Sequence, residues 1–400
     1  MSYCPYPFNT LAIKSSNSNP QKMLVAPCCN VKPINRKEVD ITSNTIHNFS
    51  ETFGDLIHDI KNNKKNTMCN YCHNLEDNNI YSPRLTAIED GKILIDPILK
   101  NIDITLGEQC NLRCRMCNMK NSNKLRIDYN EIKKLNLPIP QYLNMGQDHA
   151  NQDMFGVKSF FDISETIIKN IIDISPQLDS IKFTGGEPLI NTNFWNICEN
   201  IKNENIDLNV TTNGTIVNKK VIQTFNSFRK STITISIDGT EKIYEYIRYP
   251  YKWNKLHNNL VKIINNTNDN VSIHICSVLT IYNCYNLIQL IDLIGTLDKN
   301  IKWKIIPDPG PENSVLDIKF LPKNILQNLK ENYANVDLEG SESAINKIKK
   351  YIDYCINVNI ENKKIKQQQF LQDTKTFDTV RNQKFENYLD PKITNFMLTV

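Results

Sequence analysis

Between about residues 100 and 310 the sequence alternates between two hydrophobic periods, and no other feature constrains the fold as much. Short segments at 102–107, 180–185, 207–212, 232–238, 271–279 and 301–307 are rich in β-branched residues and read as strands. The stretches 164–174, 191–203, 218–228 and 286–297 repeat apolar residues every three or four positions, as helices do. Such alternation implies right-handed βαβ units and a parallel sheet. Six strands fall short of the eight of a closed barrel. The expectation is therefore an α/β chain whose core is a partial (β/α)6 TIM-like barrel. The stretch 118–160 is too long for a plain loop and reads as an insertion over the site.

The flanks differ from this core. Residues 1–98 read as a small block: a β-hairpin around the polar tip SSNSNPQK, then a helix over 44–62 carrying Phe49, Phe53, Leu56, Ile57 and Ile60. A polar loop holding Cys69 and Cys72 follows. The core spans 99–315. The tail, 316–400, reads as a polar helical extension in which ENKKIKQQQF and TFDTVRNQKF are solvated helix faces.

Composition removes several function classes. Apolar residues make up 40% of the 400 and charged residues 22%, which supports a sizeable core and excludes wholesale disorder. Lys and Arg total 47 against 43 Asp and Glu, a net charge of +4, too weak by itself to argue for nucleic acid, which is not the expected partner. The lysine runs at 61–65, 347–350 and 363–366 permit an RNA-modifying enzyme but read more simply as solvated faces. No stretch approaches the roughly 18 apolar residues of a membrane span. The start, MSYCPYPFNT, lacks the pattern of a signal peptide, so a cytoplasmic location is expected. In that reducing setting grouped cysteines hold metal more often than they form disulfides.

Of the 12 cysteines, Cys110, Cys114 and Cys117 form a C-x3-C-x2-C at the C-terminal edge of the first core strand, where α/β active sites form. Soft thiolates suit an iron–sulfur cluster. Three of them on a four-iron cubane leave one iron open for a ligand. Zinc is the alternative, with His73 or His149 as a fourth ligand.

Further segments end the next three strands: TGGEP (184–188), TTNGT (211–215) and SIDGT (236–240). With the cysteine motif they resemble the radical S-adenosylmethionine (SAM) superfamily. The resemblance implies a 4Fe–4S cluster on Cys110, Cys114 and Cys117. It also implies SAM against Gly185, Gly186, Glu187 and Pro188, its ribose near Thr212 and Asn213, and further contacts from Ser236, Asp238 and Met116. Met116 departs from the aromatic residue common in many members, but a thioether also packs on an adenine. The implied chemistry is reductive SAM cleavage, then hydrogen abstraction from a small-molecule, sugar or peptide substrate. Epimerisation and oxidation both remain open, and the electron donor would be a flavodoxin or ferredoxin.

Cys4, Cys28, Cys69 and Cys72 resemble the auxiliary-cluster ligands of twitch or SPASM-type modules, here placed before the core, as in twitch domain-containing radical SAM proteins. Cys28 is preferred to Cys29, which would be a spare thiol or a replacement ligand. A second 4Fe–4S cluster is implied, with structural zinc as the alternative. Overall, a non-catalytic metal-binding protein on a degenerate core competes with the enzyme.

Strand alternation puts Ser272, His274 and Cys276 on one face of the fifth core strand, aimed into the partial barrel. His274 is a candidate acid/base and Cys276 a candidate hydrogen donor. Arg248 is a candidate for gripping a substrate anion. Trp253 and Trp303 read as packing residues, and Glu76 with Arg84 as a structural pair.

Overall fold

The computed structural model describes residues 3–15, 22–31, 35–40, 46, 48–77, 81–90, 96–144, 163–203, 205–297, 301–307, 309 and 315–400. His149, much of the 118–160 insertion and most of the hairpin tip lie outside them.

Nine strands form one sheet: β1 (Thr10–Ser15), β2 (Lys22–Ala26), β3 (Lys37–Asp40), β4 (Asn101–Thr105), β5 (Ser180–Thr184), β6 (Asp207–Thr212), β7 (Lys230–Ser236), β8 (Val271–Val278) and β9 (Lys302–Ile306). Their order is β3-β2-β1-β4-β5-β6-β7-β8-β9. The six core strands sit where the periodicity predicts and pair in parallel. The N-terminal block differs from the expectation of a separate module. Its β1 and β2 do form the antiparallel hairpin, but β1 also pairs in parallel with β4, Ala12 opposite Asp103. The parallel run is thus seven strands long, and the block is stitched into the core sheet.

Alternation makes the two faces chemically distinct. One carries Ile13, Ile104, Phe183, Val210, Ile233, Ile273 and Trp303, each at most 3% exposed, against the helices. The other carries polar rows set by register: Asp103, Lys182, Asn209, Thr232 and Ser272 in one, Ser236, Cys276 and Lys304 in another. The crossover helices Glu165–Ile174, Thr192–Asn200 and Lys219–Ser227 begin at Ser164, Asn191 and Asn218, whose side chains accept backbone N–H bonds from the first turn.

Two helical expectations change. The helix over 44–62 is two pieces, Phe49–Thr52 and Gly54–Lys61, because Phe53 leaves helical geometry ahead of the glycine. The tail is helical as read, over Lys323–Ala334, Glu342–Asn357, Lys363–Arg381 and Pro391–Thr399. TFDTVRNQKF, however, is not a solvated face. Phe377, Asp378, Arg381 and Phe385 are all buried, and Asp378 and Arg381 bond to the three-cysteine loop. Among the described residues no helix is long and apolar enough to cross a membrane.

Candidate active site

The loop after β4 has little regular structure of its own, so other parts of the chain fix it. Arg113 N and Arg115 N donate to the carbonyls of Tyr249 and Ile247, at 2.7 and 2.9 Å. Ser122 Oγ donates to Leu112 O at 2.6 Å. Arg115, between Cys114 and Cys117 in sequence, is fully buried. Its guanidinium stacks 3.6 Å from the centre of the Tyr246 ring. It donates to Asp378 Oδ1 at 2.5 Å and to Gln383 Oε1 at 2.8 Å. Arg381 donates to Arg113 O at 2.6 Å and to Asp128 Oδ2 at 2.8 Å, while Arg113 pairs with the other oxygen of Asp128. None of this bracing was legible in the sequence.

The glycine loop docks on the same segment. Gly186 N donates to Gly107 O and Glu187 N to Gln109 O, each at 2.8 Å. A Cβ on Gly186 would sit 2.2 Å from Gln109 O, so only glycine permits this approach. Gly185 adopts φ +129°. Glu187 is 1% exposed and turns away from the cavity. Its carboxylate accepts from Thr212 Oγ1 (2.7 Å), Leu189 N (3.1 Å) and Asn213 N (2.6 Å), tying the TGGEP loop to the TTNGT loop. Burial raises its pKa, and those donors oppose the shift. Asn213 Nδ2 donates to Asn111 Oδ1 at 2.8 Å and lies 3.9 Å from Cys110 Sγ.

These segments enclose one cavity of about 510 Å³. Cys110, Cys114, Cys117, Met116, Gly185, Gly186, Thr212, Asn213, Ser236 and Arg248 line it. Burial pushes the Cys110 thiol up to about 11 and raises Cys114 and Cys117 as well. As thiolates, the three would need a cationic partner in this cavity, which an iron–sulfur cluster would supply.

Other sequence-derived positions fall elsewhere. Pro188 is buried at the start of a short 3-10 turn. Asp238 is fully buried, with Oδ2 on Arg248 Nε at 2.5 Å and Oδ1 on Val278 N at 2.8 Å; it anchors Arg248. Arg248 Nη1 in turn lies 3.9 Å from Cys114 Sγ. Its guanidinium is thus already paired and reaches the thiol wall. His274 and Cys276 share the polar face of β8 but are not among the residues lining this cavity. His274 Nδ1 has no hydrogen-bond partner among the described residues, and burial beside Lys304 and Lys302 pushes the ring down to about 4. Burial pushes Cys276 up to about 11.

Cys4, Cys28, Cys69 and Cys72 converge on a second, tight pocket with Met68, Tyr71 and Arg84. Arg84 pairs with Glu76 and donates to Tyr3 O at 2.7 Å, fixing the chain beside Cys4. Among the described residues, no three His, Cys, Asp or Glu side chains gather as a single metal ion would need. Cys29, which is exposed, does not line this pocket; it lines the three-thiol cavity and, together with Cys28, Lys182 and Asp103, a neighbouring one.

Comparison with known proteins follows the same geometry. A radical SAM cyclopropyl synthase, TigE, of Paramaledivibacter caminithermalis is 27% identical over 172 residues, 41% of this chain and 31% of that protein. An uncharacterised protein of Methanocaldococcus jannaschii is 28% identical over 162 residues, 38% of this chain and 43% of its own. The chain therefore spans less than half the length of these curated relatives. A solved structure titled native anSMEcpe with bound AdoMet aligns at a TM-score of 0.38 and 18% identity, over 60% of this chain and 62% of that one. The model of the Radical SAM superfamily matches residues 104–286, from the end of β4 through β8, and the chain carries a radical SAM superfamily domain over that span.

Proposed function

We propose that the protein is a radical SAM enzyme with an auxiliary cluster. The observation that carries this reading is the convergence of four successive strand ends, β4 to β7, on one cavity walled by three thiols. The seven-strand parallel run would curl as a partial barrel around that cavity. Cys110, Cys114 and Cys117 would hold a 4Fe–4S cluster there, whose chemistry when bound would be one-electron reductive cleavage of SAM.

The chain's own residues have distinct tasks. Cys110, Cys114 and Cys117 would hold three irons, and Arg248 offsets thiolate charge at Cys114. The absence of side chains at Gly185 and Gly186, which line the cavity, would give SAM close access to the backbone. Glu187 locks that loop to Thr212 and Asn213, which with Ser236 and Met116 would bound the nucleoside. Cys4, Cys28, Cys69 and Cys72, which line one pocket, would hold an auxiliary 4Fe–4S cluster. The substrate is a small molecule, sugar or peptide, and the electron donor a flavodoxin- or ferredoxin-type protein. His274 and Cys276 remain proposed contacts on the polar sheet face, deeper than the thiol wall.

The test is anaerobic reconstitution with iron and sulfide, reduction, addition of SAM and quantification of 5′-deoxyadenosine. Product from the wild type and none from Cys114→Ala is expected. A protein that carries a full cluster at the three cysteines and yields no product sinks the reading.

A further inference from the structure

Cys114 and Arg248 stand opposite each other because their neighbours bond. Arg113 N and Arg115 N, on either side of Cys114, donate to Tyr249 O and Ile247 O, on either side of Arg248. Arg248 itself ends the helix Glu241–Ile247. Its guanidinium is held from behind. Nε and Nη2 both meet Asp238 Oδ2 at 2.5 Å. Asp238 follows the end of β7, is fully buried, and accepts from Val278 N, the last residue of β8, on its other oxygen at 2.8 Å. Nη1 is left to face the cavity wall, 3.9 Å from Cys114 Sγ. The ends of two strands thus aim one cation at one of the three thiols. Burial raises the Cys114 pKa, and against it the pull of Arg248 outweighs the push of Asp238. Cys110, by contrast, meets neutral donors, Leu112 N at 3.4 Å and Asn213 Nδ2 at 3.9 Å.

We propose that Arg248 is a positioning residue for electron entry at the three-cysteine site: acting through Cys114, it raises the reduction potential of the cluster held there, and Asp238 fixes its direction. The inference rests on the radical SAM reading and deepens it toward how that site is reduced. One electron passes from a low-potential one-electron reductant to the cluster, and no bond at Arg248 forms or breaks. The incoming negative charge is stabilised by a cation already fixed in place. Net charge and hydrogen bonds to the sulfurs are the means by which a protein sets such a potential. At an effective dielectric of about 20, unit charges about 10 Å apart still shift an equilibrium constant by more than tenfold.

The reconstituted protein is titrated anaerobically with dithionite and redox mediators, without SAM, and the reduced cluster is followed by electron paramagnetic resonance. The signal of the three-cysteine site is the one absent from Cys110→Ala/Cys114→Ala/Cys117→Ala. Wild type is compared with Arg248→Lys, with Arg248→Gln, and with Asp238→Asn/Arg248→Gln, which leaves no buried carboxylate unpaired. Iron and sulfide are counted in each. The expected result is an Arg248→Gln site at least about tenfold harder to reduce, a fall of about 59 mV for one electron. The double variant should fall in the same direction by less, since it also sheds the opposing charge of Asp238. Arg248→Lys keeps the cation and should stay nearer wild type than Arg248→Gln does. Wild-type potentials in both charge-lost variants overturn the proposal. So does a lysine variant that falls as far as the glutamine variant. Loss of iron from the double variant overturns it too, since the pair would then support the loop rather than the potential. A wild type that takes up no cluster at the three cysteines fails the radical SAM reading itself, an outcome distinct from a loaded site with unshifted potentials.

Discussion

Replacing Asp378 with alanine tests whether the C-terminal helix braces the cysteine loop. Asp378 Oδ1 faces the fully buried Arg115 at 2.5 Å and also accepts from Tyr246 OH at 2.8 Å, while Oδ2 accepts from Phe385 N at 2.7 Å. Stranding one partner of a buried ion pair costs about 3–5 kcal/mol. The retained Gln383 and Tyr246 carbonyl acceptors hold the total near the middle of that range, about 4 kcal/mol, or roughly 900-fold in the unfolding equilibrium. With an unfolding entropy of about 2.1 cal/mol/K per residue over this length, that is a fall in Tm of roughly 5 °C. Differential scanning calorimetry of the apo-protein reads this directly. Asp378→Asn keeps an acceptor and is expected to lose less than half as much. Iron retention in the reconstituted protein should fall in the same order. An alanine variant that melts within about 1 °C of wild type would refute the claim that this pair stabilises the loop.

Gly186→Ala forces a Cβ against Gln109 O and should cost roughly 1–3 kcal/mol of stability along with SAM binding, measured by equilibrium dialysis. Wild-type affinity for SAM in this variant would mean that the two loops are not docked as described. Burial pushes Asp373 up to about 6, and its Oδ2 has no hydrogen-bond partner among the described residues. The folded-state pKa lies above the unfolded value, so the wild type loses stability as pH rises from about 4 to about 6. Asp373→Asn should therefore gain up to about 3 kcal/mol at pH 7–8 and nothing below pH 4; urea midpoints independent of pH would contradict this. Stripping iron from the reconstituted protein should speed limited proteolysis within 110–123, since the three thiols that line the cavity then lose their common partner. A cleavage rate unaffected by iron would show that the protein alone fixes the loop.

The core was readable because both of its signals are local. Each strand from β4 to β9 alternates a buried apolar residue with a polar one, and each motif sits where a strand must end. The parallel pairing of β1 with β4 was not readable. A hairpin advertises its antiparallel partner through the turn, whereas its other edge carries no mark of what will pair there. The Arg115–Asp378 bond was hidden for a similar reason: 263 residues separate its ends, and a polar helical segment looks solvated until its partner is known. Asp238 reads as a cofactor contact by its place in SIDGT, yet both its oxygens face inward.

The brace on the cysteine loop also orders events in time. During synthesis the thiols at 110, 114 and 117 emerge long before Asp378 and Arg381 exist, so a nascent chain presents an unbraced loop for most of its translation. Iron delivered then would meet three mobile sulfurs, able to scramble with Cys4, Cys28, Cys69 and Cys72, which emerge earlier still. Lasting cluster insertion at the core is therefore expected only after the last helices have docked, and a chain stopped near residue 360 should fail to retain iron there.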